Sequence, residues 1–258
     1  MRKIHETALV DRRAELDGDV EIGAYSIIGP KVKIGKGTRI GSHVVIEGDT
    51  TMGHGNVVFQ FATVGSAPQD LKYRGEESRL VIGSNNTIRE FASLNPGTTG
   101  GGMITQAGDH NLLMMHCHIA HDCILGSHNI IANGATLGGH VTIEDYVILG
   151  GLAGIHQFVK IGIGAIVGAG SMVSKDIPPY CNATGDRARL RGLNLEGLKR
   201  RGFKKEQVDA LRKAYRIIFQ SGLKTKQALA KARKELSDFP EVERMAVFIE
   251  HSRRGICR

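Results

Sequence analysis

LDGDVEIGAYSIIGPKVKIGKGTRIGSHVVIEG, residues 16–48, is the stretch that decides the fold. An aliphatic residue returns every six positions, at Leu16, Ile22, Ile28, Ile34, Ile40 and Ile46. Four residues after each stands a small or β-branched one: Val20, Ser26, Val32, Thr38, Val44 and Thr50. A helix repeats near 3.6 residues and a strand near 2, so neither alone produces this pattern. A parallel β-helix does. Each hexad is a short strand plus a turn, and three hexads close one triangular coil. The aliphatic residue points inward and stacks on its equivalents, Gly and Asn serve the turns, and coils lie ~4.8 Å apart.

The phase reaches back to Ile4 and Val10 and forward through Met52, Val58 and Val64. It breaks at SAPQDLKYRGEESRL (66–80), resumes at Ile82, Ile88 and Leu94, and breaks again at TTGGGMITQ (98–106). From Ala107 it runs without a gap to Val173. DIPPY (176–180) then marks an end, because paired prolines interrupt a ladder, and a linker is expected through about residue 193. Beyond it the period turns helical. EQVDALRKAYRIIFQSG (206–222) puts Val208, Leu211, Tyr215, Ile218 and Phe219 on one face, with Gly222 as a stop. KTKQALAKARKELSDF (224–239) and PEVERMAVFIEHS (240–252) read as two more helices, Pro240 opening the last. The expected architecture is all-β plus α: a β-helix domain over 1–187 and a small helical domain over 188–258.

Composition excludes several classes. No run of ~18 apolar residues exists, so no membrane-spanning helix is expected, and the N-terminal MRKIHETALVD has no apolar core of a secretion signal. The four cysteines lack CxxC spacing, which points to reduced thiols and a cytoplasmic location. Charge is unevenly placed: residues 178–258 carry 20 Lys+Arg against 9 Asp+Glu, while residues 1–177 carry 14 against 17. A basic tail can attract nucleic acid, a membrane surface or an acidic partner, or simply form a solvated helical face. Nucleic acid fits less well, since the chain has no recognised nucleic-acid module and few aromatics to stack on bases.

The coil length gives HCHIAHDCILG (116–126) its meaning. Positions 18 apart stack, so Gly139 lies over His121, His140 over Asp122, and His156 over Gly138. His121 is then a candidate general base. Gly139, without a side chain, can offer its N–H to an oxyanion on the next coil. His118, His140 and His156 line the same groove. Cys117 and Cys123 fall at small inward positions beside Ala135 and Val141 and read as core, and His5, His43, His54, His110, His128 and His251 read as surface residues.

The hexads resemble those of the hexapeptide-repeat acyltransferases, whose coils wind left-handed. FQFATVGSAPQDLKYRGE (59–76), HIAHD (118–122), GIHQF (154–158) and NLEGLKRRGF (194–203) narrow the likeness. Over almost its whole length the chain resembles the acyl-[acyl-carrier-protein]–UDP-N-acetylglucosamine O-acyltransferases, which perform the first step of lipid A synthesis. The resemblance implies a left-handed β-helix, a homotrimer with its active site between neighbouring β-helices, and no bound cofactor or metal. The donor would be a (3R)-hydroxyacyl chain on the phosphopantetheine arm of acyl carrier protein, and the acceptor the sugar 3-hydroxyl. It implies His121 as general base, Gly139 as oxyanion donor and Asp122 as the group orienting His121. Gln69, Asp70 and Lys72 match the loop that contacts sugar and donor; His118, His140, His156 and Gln157 line the groove. Asn194, Glu196, Arg200 and Arg201 match the region gripping the UDP moiety, and Ala169 aligns with the position that sets acyl length. One departure stands out: NPGT, with Asn95 and Pro96, where the family often reads His-Arg-Gly-Thr. A neutral variation, a 3-amino acceptor and a paralogue with another nucleotide sugar each account for it. Two other classes stay open, a γ-carbonic-anhydrase-like zinc enzyme and a non-catalytic trimeric scaffold that binds a nucleotide sugar.

Overall fold

The structure, a computed structural model, describes residues 3–258. It contains 28 short strands, most of two residues, followed by four helices. The strands form an eleven-, a nine- and an eight-stranded sheet, and each sheet takes every third strand in chain order until the last two strands, which both join the eleven-stranded sheet. That order is a left-handed parallel β-helix of triangular section, as expected. The register advances by one coil at each step: Lys3 pairs with Glu21, Leu9 with Ile27 and Glu15 with Lys33. Two coils are longer. Thr50 pairs with Leu80 and Leu80 with Thr105, so loops leave the coil at both breaks in the hexad phase and return to the same register.

The inward aliphatics are buried from Leu16 to Val173, and so are the small residues from Val20 to Thr50. The exception is the first coil, where Ile4 is exposed and, among the described residues, no further coil stacks beneath it. Some small positions are polar, and several of these bond between coils. The Ser26 hydroxyl donates to the Gly41 carbonyl and accepts from the Val44 amide. Asn56, Asn86, Asn111 and Asn129 form a buried ladder in which each Oδ1 accepts the backbone N–H of the residue one coil on, ending at Val147. These asparagines line the core at an inner corner; they are not the exposed turn residues anticipated.

The hexad glycines also differ from expectation. Gly23 and Gly35 do not adopt positive φ. A Cβ on Gly35 would lie 2.6 Å from the carbonyl carbon of Gly53 on the next coil, so absence of a side chain permits close stacking. The left-handed turn positions are held largely by Tyr25, His43, Phe61, Phe91 and other bulky residues with φ near +60°. Their rings stack 4.8–5.2 Å apart from Tyr25 to His116. Their amides bond between coils, as His43 N–H does to the Ala24 carbonyl. Both contacts offset the cost of the conformation.

The coil does not end at Val173. Ile177 bridges to Ile161, and Cys181–Thr184 adds a parallel strand beside Ile166–Val167. Arg189–Leu193 then returns antiparallel and closes the sheet. The expected linker is therefore a hairpin that caps the column, straddling residues 187 and 188. Four helices follow where three were anticipated: α1 (Leu195–Arg200), α2 (Lys205–Gln220), α3 (Thr225–Glu235) and α4 (Pro240–Glu250). α1 starts at Asn194, whose Oδ1 accepts from the Gly197 N–H. The apolar face of α2 is wider than its sequence stripe: Ala210, Leu211, Ala214, Ile217 and Ile218 are buried, with Val208, Tyr215 and Phe219 at the edge. The chain then runs back to the column. Asp176 accepts from the Ser252 hydroxyl at 2.6 Å and the Lys160 amide at 2.8 Å, and exchanges backbone hydrogen bonds with Gly255 and Cys257.

Candidate active site

The site is built on one outer corner where two coils stack. Asp122 occupies a left-handed turn position (φ 59°), which turns its carboxylate back toward the chain. The side chain is fully buried, and Oδ2 lies 2.8 Å from His121 Nδ1. A carboxylate only accepts, so Nδ1 carries the proton and Nε2 keeps a lone pair. Thr98 fixes the carboxylate from the other side: its N–H donates to Oδ1 at 2.9 Å and its hydroxyl to Oδ2 at 2.6 Å. The Thr105 hydroxyl accepts the Asp122 amide at 2.7 Å.

Gly139 stacks on His121 as the coil length requires. A Cβ there would sit 2.6 Å from His121 Nε2, so any side chain would drive the imidazole away. Among the described residues, the Gly139 N–H has no hydrogen-bond partner. A basic nitrogen and an unpaired amide therefore share one corner, which is what deprotonating a nucleophile and stabilising an oxyanion require.

The other histidines surround this pair. His140 Nδ1 lies 3.9 Å from Asp122 Oδ2, and its ring stands edge-on to His121 and stacks on Phe158 at 4.3 Å. Burial lowers the pKa of His140, with the charge of Asp122 opposing, so the ring favours the neutral form. His118 is hydrogen-bonded to the Ser93 hydroxyl at 2.7 Å. Burial, and then the neighbouring His121, lower its pKa. His156 is exposed and donates to the Gln157 carbonyl. With Gly138, Thr136, Gly154 and Met172 it lines a groove of about 560 Å³. Gln69, Asp70 and Lys72 lie on the first long loop, where the Lys72 amide donates to Asp70. The loop is close enough for the charges of Asp70 and Lys72 to be felt at His140.

Asn194, Glu196, Arg200 and Arg201 cluster elsewhere. Asn194 caps α1 and donates to the Gly164 carbonyl, while Glu196 and Arg200 form an exposed ion pair. The Arg201 guanidinium lies over the Tyr146 ring at 4.5 Å and the Phe203 ring at 5.2 Å. Among the described residues, no hydrogen bond or ion pair joins these four to His121. Ala169 is exposed beside Gly150 and does not line the groove.

Cys117 and Cys123 are fully buried, and burial pushes both thiols up to about 12, so they are packing residues. Among the described residues, His121, Asp122 and His140 are the group whose ligand atoms converge, all within 4.8 Å of one another. His116 and His118, the other histidines of the stretch 116–126, are not in it.

Thr98 and Gly101 escaped the sequence reading. A Cβ on Gly101 would lie 2.0 Å from Asp122 Cγ, so the second loop seats directly on the carboxylate. The glycine run in TTGGG was the available signal. Asn95 also gains a role: it is buried, and its Nδ2 donates to the Ser66 carbonyl at 2.9 Å, tethering the start of the loop that carries Gln69 to Lys72. Pro96 lines the cavity of about 450 Å³ beneath that loop.

Residues 176–257 match the family described as Udp N-acetylglucosamine O-acyltransferase, Domain 2, and residues 108–139 match the bacterial transferase hexapeptide. The chain is 53% identical to the acyl-[acyl-carrier-protein]–UDP-N-acetylglucosamine O-acyltransferase of Myxococcus xanthus, over the full length of both. To the protein of the same name from Thermodesulfovibrio yellowstonii it is 49% identical, again over both full lengths. The solved structure of LpxA from Acinetobacter baumannii superposes with a TM-score of 0.97 at 49% identity, covering 99% of each chain. That of the UDP-N-acetylglucosamine acyltransferase of Francisella novicida does so with 0.96 at 38% identity, covering 99% of this chain and 94% of that one. With identity of this order along its entire length, the chain belongs to the acyl-[acyl-carrier-protein]–UDP-N-acetylglucosamine O-acyltransferase family.

Proposed function

We propose that the protein transfers a (3R)-hydroxyacyl group from acyl carrier protein to the 3-hydroxyl of UDP-N-acetylglucosamine, the first step of lipid A synthesis. The observation that carries this reading is the His121–Asp122 pair at 2.8 Å beneath the unpaired amide of Gly139. His121 Nε2 takes the proton of the sugar hydroxyl, and Asp122 balances the imidazolium that forms. The sugar oxygen attacks the thioester carbonyl, and the Gly139 N–H receives the negative charge. The tetrahedral intermediate collapses, the C–S bond breaks, and His121 returns its proton to the phosphopantetheine thiolate. The reaction needs no bound cofactor and no resident metal.

The remaining site residues divide between binding tasks. Gln69, Asp70 and Lys72 contact sugar and donor, and His118, His140, His156 and Gln157 line the path between them. Asn194, Glu196, Arg200 and Arg201 grip UDP, the arginines facing its diphosphate. Their separation from His121 within one chain supports a homotrimer in which neighbouring protomers share each site. Residues 1–187 then act as the catalytic domain and 188–258 as the nucleotide-facing one. The basic tail suits the acidic carrier protein, and the acyl end of the site lies toward Ala169. Free carrier-protein thioesters and reduced thiols both suit the cytoplasm.

The test is a reaction of purified protein with UDP-N-acetylglucosamine and 3-hydroxyacyl carrier proteins of several lengths, with products read by mass spectrometry. An O-acylated nucleotide sugar is expected, together with a trimer mass by light scattering. Nucleotide-sugar binding without acyl transfer at any length would overturn the reading in favour of a scaffold.

A further inference from the structure

His121, Asp122 and His140 present three metal-ligating atoms at one buried corner, all within 4.8 Å of one another. Two of the separations are 2.8 Å (His121 Nδ1 to Asp122 Oδ2) and 3.9 Å (His140 Nδ1 to Asp122 Oδ2). Zinc–ligand bonds of ~2.0–2.2 Å in tetrahedral geometry require ligand edges of ~3.3 Å, so each of these two edges lies within about 0.6 Å of what an ion needs. The parts are already held in place. Asp122 is fixed by both donors of Thr98, and the His140 ring is clamped on Phe158 at 4.3 Å. A carboxylate offers about four acceptor positions, and the two from Thr98 can persist while an ion takes the one now given to His121.

We propose that these three residues form an inhibitory site for a borderline divalent transition-metal ion, Zn²⁺ above all, which switches the acyltransferase off without filling its substrate pocket. The mechanism follows from which nitrogen the ion takes. At present Nδ1 of His121 carries the proton and Nε2, facing Gly139, is free. An ion bound to Nδ1 transfers that proton to Nε2, and the imidazole keeps one proton throughout. His121 is then locked in the tautomer that cannot accept a proton from the sugar. The ion sits behind the ring, on the side of Asp122, so the nucleotide sugar still binds. This consequence rests on the reading of His121 as the base.

The test titrates Zn²⁺ into the full-length protein by calorimetry, and Co²⁺ by visible absorption. One ion per chain is expected, with cobalt developing the strong bands of four-coordinate nitrogen and oxygen ligation. His140→Ala and the near-isosteric Asp122→Asn are each expected to weaken binding by more than the ~10–100-fold that loss of an outer partner costs. His128→Ala, at the exposed His110–His128 stack, leaves affinity unchanged. In the acyl-transfer assay, half-saturating Zn²⁺ halves kcat with KM for the nucleotide sugar unchanged, and a chelator restores it. Absence of binding, binding indifferent to both active-site variants, or inhibition that raises KM alone would overturn the proposal. The binding measurements need no turnover, so a chain that holds the ion yet transfers no acyl group would sink the functional reading and leave the metal site standing.

Discussion

His121 is positioned by a sequence of small constraints, each at a named atom. The left-handed backbone of Asp122 aims its carboxylate at Nδ1, Thr98 holds that carboxylate twice, and the bare Cα of Gly139 leaves room for the ring. Replacing His121 by Ala removes the base while Thr98 continues to hold the Asp122 carboxylate. Turnover is expected to fall by ~10²–10⁴-fold while melting stays near that of the parent protein; turnover close to the parent's would refute the role. The surrounding histidines make a separate claim about acid. His118 and His140 are both lowered by burial from the ordinary value of 6.5. Near pH 7, above the ordinary value, the neutral form dominates in both folded and unfolded chains. As pH drops through the ordinary value the unfolded chain takes up protons and the folded chain resists, so stability is lost on acidification. A His118→Gln variant is expected to lose less Tm than the parent between pH 7 and pH 5.

At the level of the element, the hexad joins two packing rules: an aliphatic residue that fills the core and a small residue that closes the corner. Where the small residue is Asn, the corner becomes a hydrogen-bonded ladder. Asn111→Ala would strip the buried Asn129 amide of its acceptor and the half-buried Gly126 carbonyl of its donor. The expected cost is about 1–3 kcal/mol in denaturant unfolding, and a change near zero would show that the ladder contributes no net stability. This regularity explains what could be read in advance. Period six ran long enough to reveal the column, and its multiple of three placed Gly139 on His121 without coordinates. The reading failed where the period failed. Thr98 reaches Asp122 from a loop that breaks the eighteen-residue stacking, so no spacing rule connects them. Cys181 and Ala183 sit inward on a strand whose register slips to sixteen, and after two prolines they resemble linker. α1 has six residues, too few to display a helical period.

For the molecule as a whole, the helical tail is fastened at its far end as well as its near one. Asp176, buried in the last coil, binds Ser252 through its side chain and Cys257 through its carbonyl. Asp176→Ala would leave the Ser252 hydroxyl and the Lys160 amide without their acceptor. Tm is expected to fall by ~2–4 °C per kcal/mol lost in a chain of this size. Proteolysis near residue 250 is expected to rise with it, and a tail that stays resistant would argue against the latch.

Outside the two longer coils and the last parallel strand, each residue pairs with the one eighteen places on, which makes the column a modular object. Glu21 pairs with Arg39 and Ile22 with Ile40, so excising residues 22–39 splices Glu21 onto Ile40 and recreates the same two-residue strand. Everything downstream keeps its neighbours, including the corner at His121. A chain shortened by that one storey is expected to fold and retain acyl transfer, while removal of seventeen residues from the same place would turn the remaining interior inside out. Far-ultraviolet circular dichroism and the acyl-transfer assay on the two deletions would tell them apart. Growth or loss in whole storeys is therefore a change of length this architecture can absorb without disturbing its chemistry, alongside the loops that leave a coil and rejoin its register.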